Sequence, residues 1–187
     1  MITQRLVLTA AHCLEDADYV RIFKLRKSML RPYEIFEKIT HPSFHILPDG
    51  TTSQDIGLIV LRVTISDSET VKLPPRNLYV PTGATAPAFG WGITEFGSRS
   101  REMRKVNLSI TYAYPCTTQD QYDSHWICTK SQKRDICDGD SGGPLVWNNY
   151  VVGIVSWGNK SCRSGVPSVF TKVSAYRDWI DGYILEY

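Results

Sequence analysis

Apolar residues along the chain fall in many short runs, which are separated by glycine, proline, asparagine and aspartate. Runs of this length, rich in β-branched and aromatic side chains and bounded by turn formers, are typical of β-strands. The pattern predicts strands over residues 5–9, 19–23, 33–39, 56–63, 85–89, 106–112, 144–147, 151–157 and 168–173. Asn148-Asn149, between two of these runs, predicts a hairpin turn. Such an arrangement indicates an all-β barrel or sandwich.

The end of the chain has a different periodicity. Apolar side chains recur there at helical spacing, at Val173, Tyr176, Trp179, Ile180 and Tyr183. We expect a helix over residues 174–185 that lies on the barrel, with Ser174 as its N-cap. Residues 64–82 carry three prolines and little periodicity, which predicts a crossing between two lobes.

Composition and cysteine usage narrow the function only a little. The 187 residues, 42% of them hydrophobic, suffice for one large domain or for two lobes that share an interface. A net charge of +2 gives no reason to expect nucleic acid as a partner. No apolar run of about 20 residues predicts a membrane span, and we expect any secretion signal to lie upstream of Met1. The five cysteines form no C-x-x-C pair, which argues against a zinc site. We expect no metal and no cofactor.

A glycine-rich segment contains the candidate nucleophile. In residues 139–144, Gly-Asp-Ser-Gly-Gly-Pro, the glycines around Ser141 let backbone N–H groups approach a substrate carbonyl. A serine needs a base to take its proton, and such N–H donors stabilise the oxyanion of acyl transfer. Taken alone, the segment also fits a glycine-rich turn between strands.

The order of residues along the chain discriminates among classes of serine hydrolase. The segment fits the G-x-S-x-G elbow of α/β-hydrolases, whose acid and histidine follow the serine, but all four histidines here precede Ser141. The subtilisin order requires an acid upstream of the base, and none precedes His12. If His12 is the base, only the order His, Asp, Ser remains. We expect surface or structural roles for His41, His45 and His125.

Five motifs occur in order along the chain. They are Leu8-Thr9-Ala10-Ala11-His12-Cys13, Asp55-Ile56-Gly57-Leu58-Ile59-Val60-Leu61, Gly90-Trp91-Gly92, Asp138-Gly139-Asp140-Ser141-Gly142-Gly143-Pro144-Leu145 and Ser156-Trp157-Gly158. Together they resemble the chymotrypsin/trypsin family of serine endopeptidases over nearly the whole chain. The resemblance implies an all-β, trypsin-like fold of two six-stranded antiparallel β-barrels, the first incomplete here, with a C-terminal α-helix. It implies a single peptidase domain with the first barrel in residues 1–75, the second in 76–173 and the helix in 174–185.

The resemblance also implies the chemistry of the site. His12 is then the general base and afterwards the general acid, and Asp55 orients His12 and stabilises its cationic form. Ser141 attacks the scissile carbonyl, and the N–H groups of Gly139 and Ser141 form the oxyanion hole.

Substrate recognition is implied by the same resemblance. Ser156, Trp157 and Gly158 pair with the substrate backbone as a short antiparallel strand. Asp135, six residues before the nucleophile, stands at the base of the family's primary specificity pocket, where a carboxylate pairs with Lys or Arg. Ser168 stands where a glycine usually keeps the pocket wall open, and an isoleucine follows Asp135 where a small polar residue is common. We therefore expect a reduced or restricted preference for Arg and Lys.

Two disulfides are implied by the resemblance, Cys116–Cys128 and Cys137–Cys162. The usual partner of Cys13 lies before the catalytic histidine in the family, so we expect it upstream of Met1. The same upstream part supplies strands of the first barrel and the activating N-terminus, whose ammonium pairs with Asp140. Without that ammonium we expect the Asp140 carboxylate to lack its compensating charge.

The predicted function is that of a secreted serine endopeptidase, made as a zymogen, which hydrolyses peptide bonds after Arg or Lys. Its expected partners are protein or peptide substrates and a serpin or other protease inhibitor, with no nucleic acid and no membrane, and we expect a monomer. The alternative is a catalytically silent, protease-like binding protein or an inactive truncated form. An esterase on another fold is disfavoured by the residue order.

Overall fold

Strands dominate the computed structural model, which describes residues 1–22, 32–66, 69–112, 116, 124–130, 135–158 and 167–187. The strands are β1 Leu6–Thr9, β2 Tyr19–Arg21, β3 Pro32–Thr40, β4 His45–Ile46, β5 Thr52–Ser53, β6 Gly57–Leu61, β7 Thr85–Gly90, β8 Arg104–Thr111, β9 Trp126–Lys130, β10 Pro144–Trp147, β11 Tyr150–Trp157 and β12 Ser168–Lys172. The other described elements include 3₁₀ turns at Ala11–Cys13 and Val173–Tyr176 and the helix α1, Arg177–Glu186.

The second half of the chain closes into an antiparallel barrel. Its strand order is β10-β11-β12-β9-β8-β7, and β10 returns to β7 where Leu145 lies opposite Ala88. Alternate residues of these strands point inward, and the interior is filled by fully buried apolar side chains such as Leu108, Leu145 and Phe170. The six-stranded second barrel predicted from the family resemblance is therefore confirmed.

The first half of the chain forms an open sheet in the described residues. Its order is β1-β6-β3-β2, and β4 and β5 form a separate two-stranded ribbon. β6, which lies inside this sheet, is buried along its whole length and reads as a continuous apolar run. The prediction of an incomplete first barrel is confirmed.

One apolar core joins the two lobes and the helix. It combines Leu6 and Ile56 of the first lobe with Val151 and Ile154 of the second, and Ile180 of α1 packs into the same cluster. The helix therefore rests on the junction between the lobes, so its burial stabilises their relative position.

The start of the helix differs from the prediction. The chain leaves β12 through the 3₁₀ turn Val173–Tyr176, so the α-helix begins at Arg177 and its N-cap residue is Tyr176. Ser174 lies buried inside that turn, and no side chain caps either start. Ser174 as the N-cap is therefore wrong. Within the described ranges, no helix has both the length and the hydrophobicity needed to cross a bilayer.

Candidate active site

β1 and β6 bring His12 and Asp55 to the same end of the first sheet. The two strands are antiparallel with Thr9 opposite Gly57, so the residues just after β1 and just before β6 are neighbours. A Cβ atom at position 57 would lie 3.3 Å from Cα of Ala11, which leaves little room for a larger residue. The glycine therefore lets the 3₁₀ turn that carries His12 rest against β6.

His12 and Asp55 meet through two hydrogen-bonding contacts. Nδ1 of His12 lies 2.7 Å from Oδ2 of Asp55, and the backbone N–H of His12 donates to Oδ1 at 3.0 Å. The Asp55 side chain is fully buried, whereas that of His12 is 29% exposed. Because Nδ1 faces the carboxylate, the ring presents Nε2 as its other reactive nitrogen.

Asp55 also receives hydrogen bonds from hydroxyl groups of both lobes. Ser156 donates to Oδ2 at 2.6 Å and Thr52 donates to the same oxygen at 3.2 Å. Thr171 donates to the backbone carbonyl of Asp55 at 2.7 Å. Ser156 reaches the acid because the pairing of β11 with β12 shifts register around it, and such bulges redirect a side chain.

These contacts shift the pKa values of both partners. Hydrogen bonds to Asp55 and to Cys13 raise the pKa of His12 to about 10, against the opposing effect of burial. Burial favours a higher pKa for Asp55, but its hydrogen bonds and the charge of His12 outweigh burial and lower that pKa below its ordinary value. Asp55 therefore stays ionised behind the ring and favours the imidazolium form of His12.

The nucleophile loop packs against the turn that carries His12. Gly142 donates its N–H to the carbonyl of Val155 on β11 at 2.9 Å, and its φ of +74° suits a glycine. A Cβ atom at Gly142 would lie 3.4 Å from Sγ of Cys13, and that sulfur is 3.5 Å from Nε2 of His12. The loop therefore lies against the histidine turn at Gly142, whereas Ser141 is exposed and makes no hydrogen bond to His12 in the described residues.

The backbone N–H groups of Gly139 and Ser141 are the two predicted oxyanion-hole donors. Gly139 has a φ of +94° and is exposed, as is Ser141. In the part of the chain that the structure describes, neither N–H group makes a hydrogen bond. Unpaired N–H groups on a fixed turn are suited to receive a developing negative charge.

The carboxylate of Asp140 is held by backbone N–H groups. Gly92 donates to Oδ1 at 2.7 Å and Cys137 donates to Oδ2 at 3.0 Å. A Cβ atom at Gly90 would lie 1.9 Å from Oδ1, so the glycines of the Gly-Trp-Gly motif make room for this side chain. In this structure the carboxylate is thus compensated by two N–H groups, which differs from our expectation. Its pairing with an activating ammonium stays a prediction.

The residues of the predicted specificity pocket converge on Asp135. Ser168, 1% exposed, donates its hydroxyl to Oδ1 of Asp135 at 2.8 Å, and the N–H of Ile136 donates to the same oxygen at 2.8 Å. A Cβ atom at Gly158 would lie 3.0 Å from Oγ of Ser168. Burial raises the pKa of Asp135 despite these hydrogen bonds. Oδ1 of the Asp135 carboxylate therefore already accepts two hydrogen bonds.

Further predicted positions can be placed in part. Cys116 and Cys128 form a disulfide, and Trp157 packs edge-on against Trp126 at 5.8 Å between ring centroids. Cys137 is disulfide-bonded and Cys13 is free. Cys162 lies outside the described residues, so its pairing with Cys137 stays a prediction. Among the described residues, no group of three or more His, Cys, Asp or Glu side chains is arranged to hold a metal ion.

The chain is similar to serine proteases over nearly its whole length. The family model described as Trypsin matches residues 1–180. A trypsin of Sarcophaga bullata is 33% identical over 97% of this chain and 76% of its own, and a tryptase of Mus musculus is 33% identical over 98% and 77%. The solved structure of neuropsin, a serine protease expressed in the limbic system of mouse brain, covers 98% of this chain and 86% of its own at 28% identity and a TM-score of 0.85. The chain belongs to the trypsin family of serine proteases.

Proposed function

We propose that this protein hydrolyses peptide bonds through an acyl-enzyme, with His12, Asp55 and Ser141 as its catalytic residues. The observation that carries the proposal is the contact of 2.7 Å between Nδ1 of His12 and the buried carboxylate of Asp55. A carboxylate in that position orients the ring and stabilises the imidazolium that forms when the base accepts a proton.

The proposed reaction moves one proton through His12. Oγ of Ser141 attacks the scissile carbonyl carbon while its proton passes to Nε2 of His12, and the oxyanion is held by the N–H groups of Gly139 and Ser141. His12 then gives that proton to the leaving amine, so the C–N bond breaks and the acyl group remains on Ser141. A water molecule then attacks the acyl carbonyl carbon while one of its protons passes to Nε2 of His12. The bond between Oγ of Ser141 and the acyl carbon breaks, His12 returns the proton to Oγ, and the acid is released.

We infer that cleavage follows Lys or Arg. Asp135 supplies a carboxylate within a pocket bordered by Ser168, Ile136 and Gly158, and a buried carboxylate is paired most favourably by a cation. The hydrogen bond of 2.8 Å from Ser168 to Oδ1 reduces the capacity of Asp135 for a second, parallel hydrogen bond to a guanidinium. We therefore propose a restricted preference for basic residues, as the sequence predicts.

A peptide panel tests this function. Peptides that differ only in having Arg, Lys, Phe or Ala before the cut bond are incubated with the full-length protein after activation cleavage, and products are identified by mass. We expect cleavage after Lys and Arg, and no cleavage by Ser141→Ala. A preference for Phe would contradict the role of Asp135, and an uncut panel would contradict the proposed activity.

The second candidate is a binding protein that keeps the fold without turnover. The observation that favours it is the hydroxyl of Ser168 on Asp135, since an occupied pocket opposes the binding of a basic substrate side chain. Such a protein would retain a target protein or a protease inhibitor without cutting any peptide of the panel. We further propose, from the family, a secreted monomer made as a zymogen, with protein substrates and a serpin or other inhibitor as partners.

A further inference from the structure

The guanidinium of Arg99 lies against Gly139, one of the two proposed oxyanion-hole donors. A Cβ atom at Gly139 would lie 3.3 Å from Nε and 3.7 Å from Cζ of Arg99. The contact exists because residue 139 has no side chain and turns with a φ of +94°. A positive charge thus borders the turn that faces the reacting carbonyl in the proposed mechanism.

A short hairpin over residues 92–100 sets the position of Arg99. Arg99 forms an antiparallel bridge with Ile93, whose N–H donates at 2.9 Å to the carbonyl of Asp138, the residue before the oxyanion-hole glycine. Ser100 donates its N–H to the carbonyl of Gly92 at 3.2 Å, which closes the base of the hairpin. The backbone of Arg99 is therefore tied to the nucleophile loop by main-chain hydrogen bonds.

No acidic side chain neutralises Arg99 within the described ranges. It is exposed and forms no ion pair or hydrogen bond there, not even with the nearby Asp138. Glu95, on the same hairpin, lies 3.4 Å from the guanidinium of Arg104 instead. A planar guanidinium without a partner presents paired N–H donors that match a carboxylate.

The neighbours of the three glycines around the site indicate which part of a substrate meets Arg99. Gly158 faces Ser168 of the specificity pocket, and Gly142 faces Cys13 beside the histidine turn. Gly139 instead faces the hairpin. In the proposed function, the pocket and the strand that ends at residue 157 bind the substrate residues before the cut bond, so the hairpin is left for those after it.

We propose that Arg99 is a specificity-determining residue that binds an acidic substrate side chain just after the cut bond. The inference rests on the proposed function. It extends the substrate preference from the basic residue before the cut bond, bound in the pocket, to an acidic residue after that bond. An exposed ion pair contributes little, so we expect a gain in kcat/KM of about twofold to fivefold for the acidic substrate. The gain decreases as ionic strength rises, since salt screens exposed charges.

The test uses peptides with the same basic residue before the cut bond and either Asp or Asn at the first, second or third position after it. The ratio of kcat/KM for Asp over Asn is measured for the active wild type, for Arg99→Gln and for Arg101→Gln. Arg101 is the matched control because it is also exposed and carries the same charge two residues away. We expect Arg99→Gln to bring the ratio close to one and Arg101→Gln to leave it at the wild-type value.

Two results would overturn the inference while the proposed function stands. One is cleavage of every peptide with no preference for Asp over Asn in the wild type. The other is a preference that Arg99→Gln retains, or that Arg101→Gln removes equally. If neither wild type nor variants cut any peptide, the proposed function fails, and this inference fails with it. Thermal unfolding of Arg99→Gln and Arg101→Gln checks that both variants keep the wild-type fold.

Discussion

The hydroxyl of Ser156 lies 2.6 Å from Oδ2 of Asp55, although 101 positions separate the two residues along the chain. Ser156 belongs to the closed barrel, whereas Asp55 precedes β6 of the open sheet. The same carboxylate oxygen faces Nδ1 of His12 at 2.7 Å. The acid of the proposed triad therefore depends on both lobes, and their relative position controls the orientation of the base.

Ser156→Ala is expected to weaken both stability and activity. The substitution removes a donor from a buried carboxylate, and a hydrogen bond to a charged group contributes about 1.5–3 kcal/mol. We expect a loss of that order in the free energy of unfolding, and a decrease in kcat of about tenfold or more because His12 is held less firmly. Urea unfolding and steady-state kinetics measure the two effects.

Thr52→Val is the comparison variant, since Thr52 lies farther from the same oxygen, at 3.2 Å, while its hydroxyl also contacts Oγ of Ser156 at 2.8 Å. Its effect on kcat is expected to be smaller than that of Ser156→Ala. Equal kcat values for wild type and Ser156→Ala would show that this hydrogen bond does not support the base.

The pair of His12 and Asp55 makes stability depend on pH in a defined direction. The pKa of His12 rises from 6.5 to about 10 on folding, so its contribution is complete below 6.5 and is lost as the pH rises through about 10. The pKa of Asp55 falls below 3.8 on folding, so its contribution is present above 3.8 and is lost as the pH decreases.

We therefore expect Asp55→Asn to cost the most stability between about pH 4 and 6.5, and progressively less toward about pH 10. Urea unfolding of wild type and variant across this range gives the difference in the free energy of unfolding. A difference that is the same at every pH would contradict an ionised pair.

Cys13→Ala is expected to lower the pKa of His12. The contact of 3.5 Å between Sγ of Cys13 and Nε2 is the second cause of the raised value, after the hydrogen bond to Asp55. NMR titration of the His12 ring measures the pKa directly. If wild type and Cys13→Ala give the same pKa for His12, the sulfur has no such effect.

Ser168→Gly is expected to increase cleavage after Arg and Lys. It frees Oδ1 of Asp135 from the hydrogen bond of Ser168 and enlarges the pocket next to Gly158. A hydrogen bond to a charged group contributes about 1.5–3 kcal/mol, which corresponds to an increase in kcat/KM of up to about tenfold to a hundredfold. Ser168→Ala separates the two causes, because it removes the hydroxyl and keeps most of the volume. Unchanged kcat/KM values for basic substrates in both variants would argue that Ser168 does not restrict the pocket.

The sequence predicts the strands well where local signals are strong. Asn148 and Asn149 have φ values of +47° and +65°, the backbone that a two-residue hairpin needs, and they join β10 to β11 as expected. β9, Trp126–Lys130, was not among the predicted strands. These residues form a strand because they pair with β8 on one side and with β12 on the other. Pairing between segments distant in sequence is not visible in the local pattern of residues.

The environment of the site was harder to predict than its members. The order of motifs identifies His12 and Asp55, and the structure places them in contact. Ser156 was expected only to pair with substrate through its backbone, and Thr52 and Thr171 were not expected to contribute. All three are hydroxyl residues at buried strand positions, and whether such a hydroxyl meets Asp55 depends on strand register and on how the lobes dock. Neither is encoded by a local pattern.

Covalent labelling by a fluorophosphonate probe tests the central claim most directly. The probe reacts with a serine whose oxygen is made nucleophilic by a neighbouring base, and peptide mapping locates the adduct. For the folded protein, after the activation cleavage that we propose, we predict one adduct on Ser141, absent in Ser141→Ala and strongly reduced in His12→Ala. A folded protein whose Ser141 stays unlabelled, or is labelled equally well without the imidazole of residue 12, would contradict the proposed triad.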